Sequence, residues 1–174
     1  LIFLTLLLIT IIDIRHYLVP DELSIILGGL GLGAFVIKLS AKVWLLPHEA
    51  FFTKSYGMVF QIFPGIFANH IIGAFSGSLF FLALVLGSRG RAMGFGDVKL
   101  AFALGLALGW PDMALALIFC FVSGSFWSLG AIIARKKGMK SMIPFAPFVA
   151  LGVFLVVFLG YPALQGYFSL FGLV

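Results

Sequence analysis

Of the chain's 174 residues, 63% are hydrophobic and only 10% are charged, whereas soluble domains are about 45–50% apolar and roughly 25% charged. This composition excludes an ordinary soluble domain and predicts an integral membrane protein. The net charge of +5 comes from basic residues that flank apolar segments, so it indicates membrane topology and contact with anionic lipid head groups, and no nucleic acid partner is expected.

Six apolar segments follow one another, and they predict an all-α, polytopic transmembrane helical bundle. The segments cover residues 1–12, 23–39, 66–86, 98–110, 113–134 and 144–162. Because no repeat or low-complexity segment divides the chain, we expect a single transmembrane domain over residues 1–174. The first segment is shorter than the about 20 residues that a spanning helix needs, which predicts a truncated N-terminus. Asp21, directly after Pro20, is expected to cap the second segment.

The fourth segment is unusually short for a membrane helix. Residues 98–110 would cover roughly 20 Å of an apolar core about 30 Å thick. Either the preceding Gly94-Phe95-Gly96-Asp97 dips into the membrane or the helix ends early. Ala101, Gly105 and Gly109 recur at every fourth position, which predicts a face of small residues that packs tightly against a neighbouring helix.

The remaining polar residues in or beside the apolar segments do not suggest a metal site. His48 and Glu49 have no third ligand near them in the sequence, so we interpret them as a pair at the membrane interface. Asn69 and His70 are expected to form interhelical or interfacial hydrogen bonds. The single cysteine, Cys120, lies in an apolar run, which excludes a disulfide framework and a thiolate metal site.

If the six segments alternate across the membrane, the basic residues divide unequally between its two sides. Lys38, Lys42 and Lys54 fall on one side. The other side holds eight of the eleven basic residues: Arg15, Arg89, Arg91, Lys99, Arg135, Lys136, Lys137 and Lys140. By the positive-inside rule, the side with eight basic residues is cytosolic. Asp13 ends the first segment and Asp97 opens the fourth, so we expect both at the cytosolic rim.

Two carboxylates that meet at one membrane rim can form an aspartyl pair. Close carboxylates cannot both ionise cheaply, so such a pair shares one proton. The ionised member can take a proton from water while the protonated member polarises a peptide carbonyl. Gly94 and Gly96 beside Asp97 can adopt positive φ and let another backbone come close. A simpler interpretation stays open, in which Asp97 only caps the next helix.

Three stretches carry a resemblance to a known family. Asp13, followed after six residues by Pro20-Asp21, resembles the Asp-x6-Pro-Asp/Asn signature of the type IV prepilin peptidases. Gly94-Phe95-Gly96-Asp97-Val98-Lys99-Leu100 resembles their Gly-x-Gly-Asp motif, which also names the wider class of intramembrane aspartyl proteases. Ile143-Pro144-Phe145-Ala146-Pro147-Phe148 is similar to a third family stretch, in which glycine is usual at the position of Ala146.

The resemblance implies that Asp13 and Asp97 are the catalytic pair. It also implies that Gly94-Phe95-Gly96 and Lys99 set the geometry of the loop and of the substrate beside the pair. Asp21 lies in the signature but does not match a catalytic position, so it stays a helix cap.

The family resemblance further implies a membrane aspartyl endopeptidase that removes the leader peptide of type IV prepilins or pilin-like proteins. The cut falls at the cytosolic face of the cell (inner) membrane, so the prepilin and the lipid bilayer are the expected partners. Many members also methylate the new N-terminus with S-adenosylmethionine and carry an N-terminal region, often with paired zinc-binding cysteines. The sequence shows neither that region nor those cysteines, so we expect no cofactor and leave N-methyltransferase activity open.

Two other functions remain open at this point. Acidic residues in membrane helices form proton relays in transporters, and glycine-interrupted short helices occur at transport sites. Asp13 and Asp97 can also be simple helix caps in a non-catalytic pilus-assembly protein. Both acids are expected at one rim and not at mid-membrane, which favours the peptidase over a proton-coupled transporter.

The division of the basic residues predicts which loops a membrane-impermeant thiol reagent reaches. In a background without Cys120, Ser88→Cys and Ser141→Cys should react only from the cytosolic side. Ser55→Cys should react only from the opposite side, because the charge distribution assigns that loop to the other face. Labelling of Ser55→Cys and Ser88→Cys from the same side would contradict the alternation of six segments.

Overall fold

The structure of the protein is a computed structural model, and it describes residues 1–40, 66–90, 93–134 and 143–170. This part of the chain is helical apart from short connections, which confirms the predicted all-α class. Its helices are α1 (Ile2–His16), α2 (Asp21–Ser40), α3 (Ile66–Gly87), α4 (Phe95–Leu108), α5 (Asp112–Ile133) and α6 (Ala146–Leu170). His48 and Glu49, which the sequence suggests as an interface pair, lie outside the described residues.

Three of these helices, α3, α5 and α6, are long and apolar enough to cross a membrane. α6 continues through Pro162 to Leu170, so it is longer than the apolar segment that predicted it. α1 and α4 are shorter, with 15 and 14 residues. A helix of 14 residues is about 21 Å long, which is less than the apolar thickness of about 30 Å. The described helices therefore form a membrane bundle that combines long and short members.

Two helix ends differ from the predicted segments at positions that matter for the acidic pair. α1 continues to His16, and Tyr17 then takes the left-handed conformation that commonly ends a helix (φ 54°). Asp13 therefore lies inside the last turn of α1 and not after its end. α4 begins at Phe95, so Asp97 lies in the first turn of the helix and not before it.

α4 lies at the centre of the bundle. Leu100, Ala101 and all residues from Ala103 to Leu108 are buried, and α2 and α3 pack along the helix. The exposed apolar side chains lie mainly on the outer faces of the other helices. Such an arrangement suits a lipid solvent, where outward-facing leucine and phenylalanine cost nothing and tight packing of small residues holds helices together.

Glycines let α2 and α3 approach α4 more closely than residues with a Cβ could. A Cβ at Gly105 would lie 2.5 Å from the Cα of Ala74 in α3. A Cβ at Gly31 in α2 would lie 2.8 Å from the carbonyl oxygen of Ala103. Both distances are shorter than van der Waals contact, so backbone packs directly on backbone. The predicted small face of α4 is confirmed at Gly105.

The close contacts between α3 and α4 also fix how the two helices are aligned. Gly105 contacts Gly73 in α3. One turn away, a Cβ at Gly77 would lie 3.4 Å from the carbonyl oxygen of Ala101. The two helices are therefore antiparallel, and the same register places Asp97 six residues, or about 9 Å, before the C-terminal end of α3.

Two hydrogen bonds attach the C-terminal end of α4 to the first turns of α3. The buried His70 donates from Nδ1 to the carbonyl oxygen of Leu106 at 2.7 Å. The backbone N–H of Trp110, just beyond α4, donates to the carbonyl oxygen of Asn69 at 2.8 Å. The predicted interhelical role is thus confirmed for His70, and Asn69 contributes through its backbone.

Gly105→Leu should destabilise the bundle, because the added side chain meets the backbone of α3 where a Cβ alone has no room. We expect a lower Tm in detergent, corresponding to a loss of about 1–3 kcal/mol. Gly130→Leu in α5 is the matched control, since nothing lies within 4 Å of a Cβ at that position. Equal Tm values for the two variants would contradict the close packing of α3 on α4.

Candidate functional site

Asp13 is a buried carboxylate that is bonded to the start of another helix. It lies in the last turn of α1 and is 5% exposed. Its Oδ2 accepts a hydrogen bond of 2.8 Å from the backbone N–H of Ala146, the first residue of α6. The backbone N–H of Phe145 donates to the same side chain. The first N–H groups of a helix have no partner within the helix. Asp13, which belongs to α1, supplies that partner and so caps α6.

Asp97 is held differently, by a contact within its own helix turn. It is half-buried in the first turn of α4. Gly94 is the N-cap residue and has no side chain to accept from the helix. The carboxylate of Asp97 instead accepts from the backbone N–H of Gly94, as the acidic member of a capping box does. Asp97 is therefore not the N-cap residue, which is Gly94, but it contributes to capping from the third position of the helix.

Asp13 and Asp97 lie close enough to each other for the charge of one to affect the other. Both lie near helix ends and outside the three helices that are long enough to cross a membrane. Burial raises the pKa of Asp97 above its ordinary value, and the negative charge of Asp13 raises it further. Burial also raises the pKa of Asp13, while the backbone N–H groups of the α6 start oppose that rise. Like charges in a partly dry site favour a pair that retains one proton.

The connection between α1 and α2 packs directly against the start of α4. A Cβ at Gly96 would lie 2.9 Å from the Cβ of Val19, so glycine is needed there for space. Gly94 has extended backbone angles (φ −89°, ψ 161°), and a Cβ there would meet only the nitrogen of Gly96 at 3.9 Å. Neither glycine is among those with positive φ in the described residues. The motif therefore provides space for the close approach of Val19 at Gly96. Its glycines are not needed for unusual backbone angles.

Lys99 and Asp21 form an ion pair that joins α4 to α2 beside the acidic pair. Lys99 Nζ lies 2.7 Å from Asp21 Oδ1, and both side chains are more than half exposed. Asp21 is the first residue of α2 and bonds to Lys99, so its predicted role as the N-cap residue is wrong. An exposed pair contributes about 0–1 kcal/mol, so it aligns the two helices more than it stabilises them. Phe95, also in the motif, is 60% exposed.

Sequence reasoning missed the groups that hold Asp13, because they are backbone N–H groups without a side-chain signature. Pro144, at the start of the sixth apolar segment, is the available signal that a helix starts there. Sequence reasoning also missed that the buried thiol of Cys120 lies close enough to Asp97 to interact with its charge. Within the described ranges, no group of three or more histidine, cysteine, aspartate or glutamate side chains could hold a metal ion.

Comparisons with known proteins identify the family to which the chain belongs. A family model described as the type IV leader peptidase family matches residues 1–160. The chain is 27% identical over 158 residues to a prepilin leader peptidase/N-methyltransferase of Aeromonas hydrophila, covering 87% of this chain and 46% of the relative. It is 26% identical over 160 residues to the protein of that name from Bacillus subtilis (strain 168), covering 91% and 54%.

A third relative, from Burkholderia pseudomallei (strain 1026b) and of the same name, is 30% identical over 148 residues, covering 78% of this chain and 47% of the relative. The chain therefore spans about half the length of the curated relatives it matches. No solved structure matches the chain.

The two motif glycines provide a matched pair of substitutions. Gly96→Ser should lower the Tm and displace the start of α4, because its Cβ meets Val19 at less than 3.0 Å. Gly94→Ser should leave the Tm nearly unchanged, since the position is open and serine is a favoured N-cap residue. Thermal unfolding in detergent measures both. A Gly94→Ser variant that is the less stable of the two would show that the close approach has been assigned to the wrong glycine.

Proposed function

Because the chain belongs to the type IV leader peptidase family, we propose that it is a membrane aspartyl endopeptidase in which Asp13 and Asp97 activate water. Its substrate is the leader peptide of a type IV prepilin or pilin-like protein. The proposal rests chiefly on the meeting of these two carboxylates, which come from different helices and interact while partly withdrawn from water. The family match over residues 1–160 supports it independently.

The chemistry of such a pair needs no covalent intermediate. One carboxylate accepts a proton from water as the oxygen attacks the scissile carbonyl carbon, and the protonated carboxyl donates to the carbonyl oxygen. Burial of both groups supports this division, because a dry site strengthens their interaction and makes it costly for both to ionise. The pair then titrates as one unit.

We further propose that the site faces the cytosol in the cell membrane. Arg15 lies in the last turn of α1 and Lys99 near the start of α4, at the same helix ends as the acidic pair. Both belong to the larger group of basic residues, which the positive-inside rule assigns to the cytosolic side. The names of the relatives also include an N-methyltransferase, but the chain spans only about half of their length, so the proposal is limited to the peptidase.

Asp→Asn substitutions separate proton transfer from helix capping. Asparagine accepts the same backbone hydrogen bonds and caps as well as aspartate, but it cannot exchange a proton at neutral pH. Asp13→Asn and Asp97→Asn should each lower prepilin cleavage at least about 100-fold while the Tm stays near that of the wild type. The double variant should be no slower than either single variant, because the two groups act together.

Asp21→Asn is the matched control, since Asp21 lies in the same signature but is bonded to Lys99 at the surface. It should cleave at a rate close to the wild type. The assay uses the purified protein in detergent or liposomes, with a prepilin and no added metal or nucleotide. Appreciable cleavage by Asp97→Asn would refute the pair and leave Asp97 as a helix cap.

A further inference from the structure

The two members of the acidic pair are held by unequal sets of hydrogen-bond donors. Asp13 accepts from two backbone N–H groups, those of Phe145 and Ala146, at the start of a 25-residue helix. Among the residues that the structure describes, Asp97 accepts from one, that of Gly94. A backbone N–H group that donates a hydrogen bond to a carboxylate favours the ionised form of that carboxylate. The surroundings therefore distinguish two chemically identical side chains.

We infer that the N-terminus of α6 sets the direction of proton transfer, by holding Asp13 as the general base and leaving the shared proton on Asp97. This inference rests on the proposed peptidase function and adds to it which carboxyl takes which role. Phe145 and Ala146 are then positioning residues, because they act through Asp13 and not on the substrate.

The side chain of Phe145 explains how its backbone is kept in place. Its ring packs against Phe81 of α3 and Phe121 of α5, with ring centroids 5.4 and 5.5 Å apart. Ala146 is 1% exposed, so the first residue of α6 is enclosed as well. The donors that face Asp13 are thus fixed by the core of the bundle and not by a loop at its surface.

The charged and titratable groups around the pair do not reverse this asymmetry. From α4, Asp97 is the ionisable group that interacts with Asp13. Lys99 of α4 and Asp21 of α2 are paired with each other at the surface. From α5, the thiol of Cys120 lies close enough to Asp97 to interact with its charge. On α1 itself, Arg15 and His16 are exposed. These statements cover the part of the chain that the structure describes.

The reaction balances with these roles. Asp13 takes a proton from water, the resulting hydroxide oxygen bonds to the carbonyl carbon, and Asp97 gives its proton to the carbonyl oxygen. When the carbon–nitrogen bond breaks, Asp13 returns its proton to the leaving amine. Asp97 takes a proton from a hydroxyl of the tetrahedral intermediate, so a carboxylic acid product forms and both groups return to their starting states.

Ala146→Pro tests the inference, because it removes the N–H that donates to Asp13 at a position where proline is tolerated, the first residue of a helix. If Asp13 carries the charge when the pair is singly ionised, loss of the donor raises the pKa of the first ionisation of the pair. The pKa of the second ionisation is unchanged, because Asp13 is charged both before and after that step. The acid limb of the kcat/KM profile should move upward by about one to two pH units, with the alkaline limb unchanged. Ala146→Gly keeps the N–H and should keep both limbs at their wild-type pH values, whatever its effect on the rate.

The opposite assignment gives the opposite result. If the proton resides on Asp13, loss of the donor affects only the doubly ionised state, so the alkaline limb moves and the acid limb stays. That outcome, or a profile in which neither limb moves, would overturn the inference while the peptidase function stands. A wild-type protein that cleaves no prepilin would instead reject the proposed function.

A second measurement needs neither substrate nor a stable proline variant. NMR titration of ¹³C-labelled aspartate carboxyls in Asp97→Asn reports Asp13 without the charge of its partner, and the same titration in Asp13→Asn reports Asp97 without it. The signals of Asp21 and Asp112 are common to both variants and are identified in this way. We expect Asp13 to ionise at the lower pH of the two. The reverse order would overturn the inference even if the protein proves not to be a peptidase.

Discussion

The arrangement of the site depends on the direct backbone contact between α3 and α4 at Gly73 and Gly105. In lipid, apolar side chains gain little by turning inward, so helices associate through van der Waals packing of small residues and through hydrogen bonds. The bond from His70 to Leu106 lies beside this contact, at the C-terminal end of α4. These contacts fix the depth of α4 in the bundle and its rotation about its own axis. The position of the Asp97 carboxylate follows from that placement of the helix.

The other half of the site depends on a contact between the two ends of the chain. Asp13 comes from the first helix, and the N–H group that it accepts from belongs to Ala146 at the start of the last one. Neither the carboxylate nor the helix N-terminus would be satisfied in this buried place without the other. The contact therefore holds α1 against α6 and fixes the position of Asp13.

The sequence was sufficient to predict the helical membrane bundle, the small face of α4 and the acidic pair as a hypothesis, because each follows from spacing and composition. It could not predict the helix ends, which place Asp13 and Asp97 inside terminal turns, since helix ends depend on tertiary bonds. Asp21 was expected to be a cap, but the charge of Lys99 offers it a partner from another helix. The donors to Asp13 are backbone groups, and backbone groups leave no mark in a sequence.

The depth of Asp97 below the end of α3 has a consequence for how a substrate reaches the pair. In the register set by Gly73 and Gly105, Asp97 lies about 9 Å short of the end of α3. A scissile peptide bond has to reach that depth from the rim of the bundle. An extended segment advances about 3.3 Å per residue, so about three extended residues bridge the distance, whereas a helix needs about six. On the proposed function, a substrate that is locally unwound at the cleavage site brings its peptide carbonyl to the carboxylates within the shorter stretch of chain.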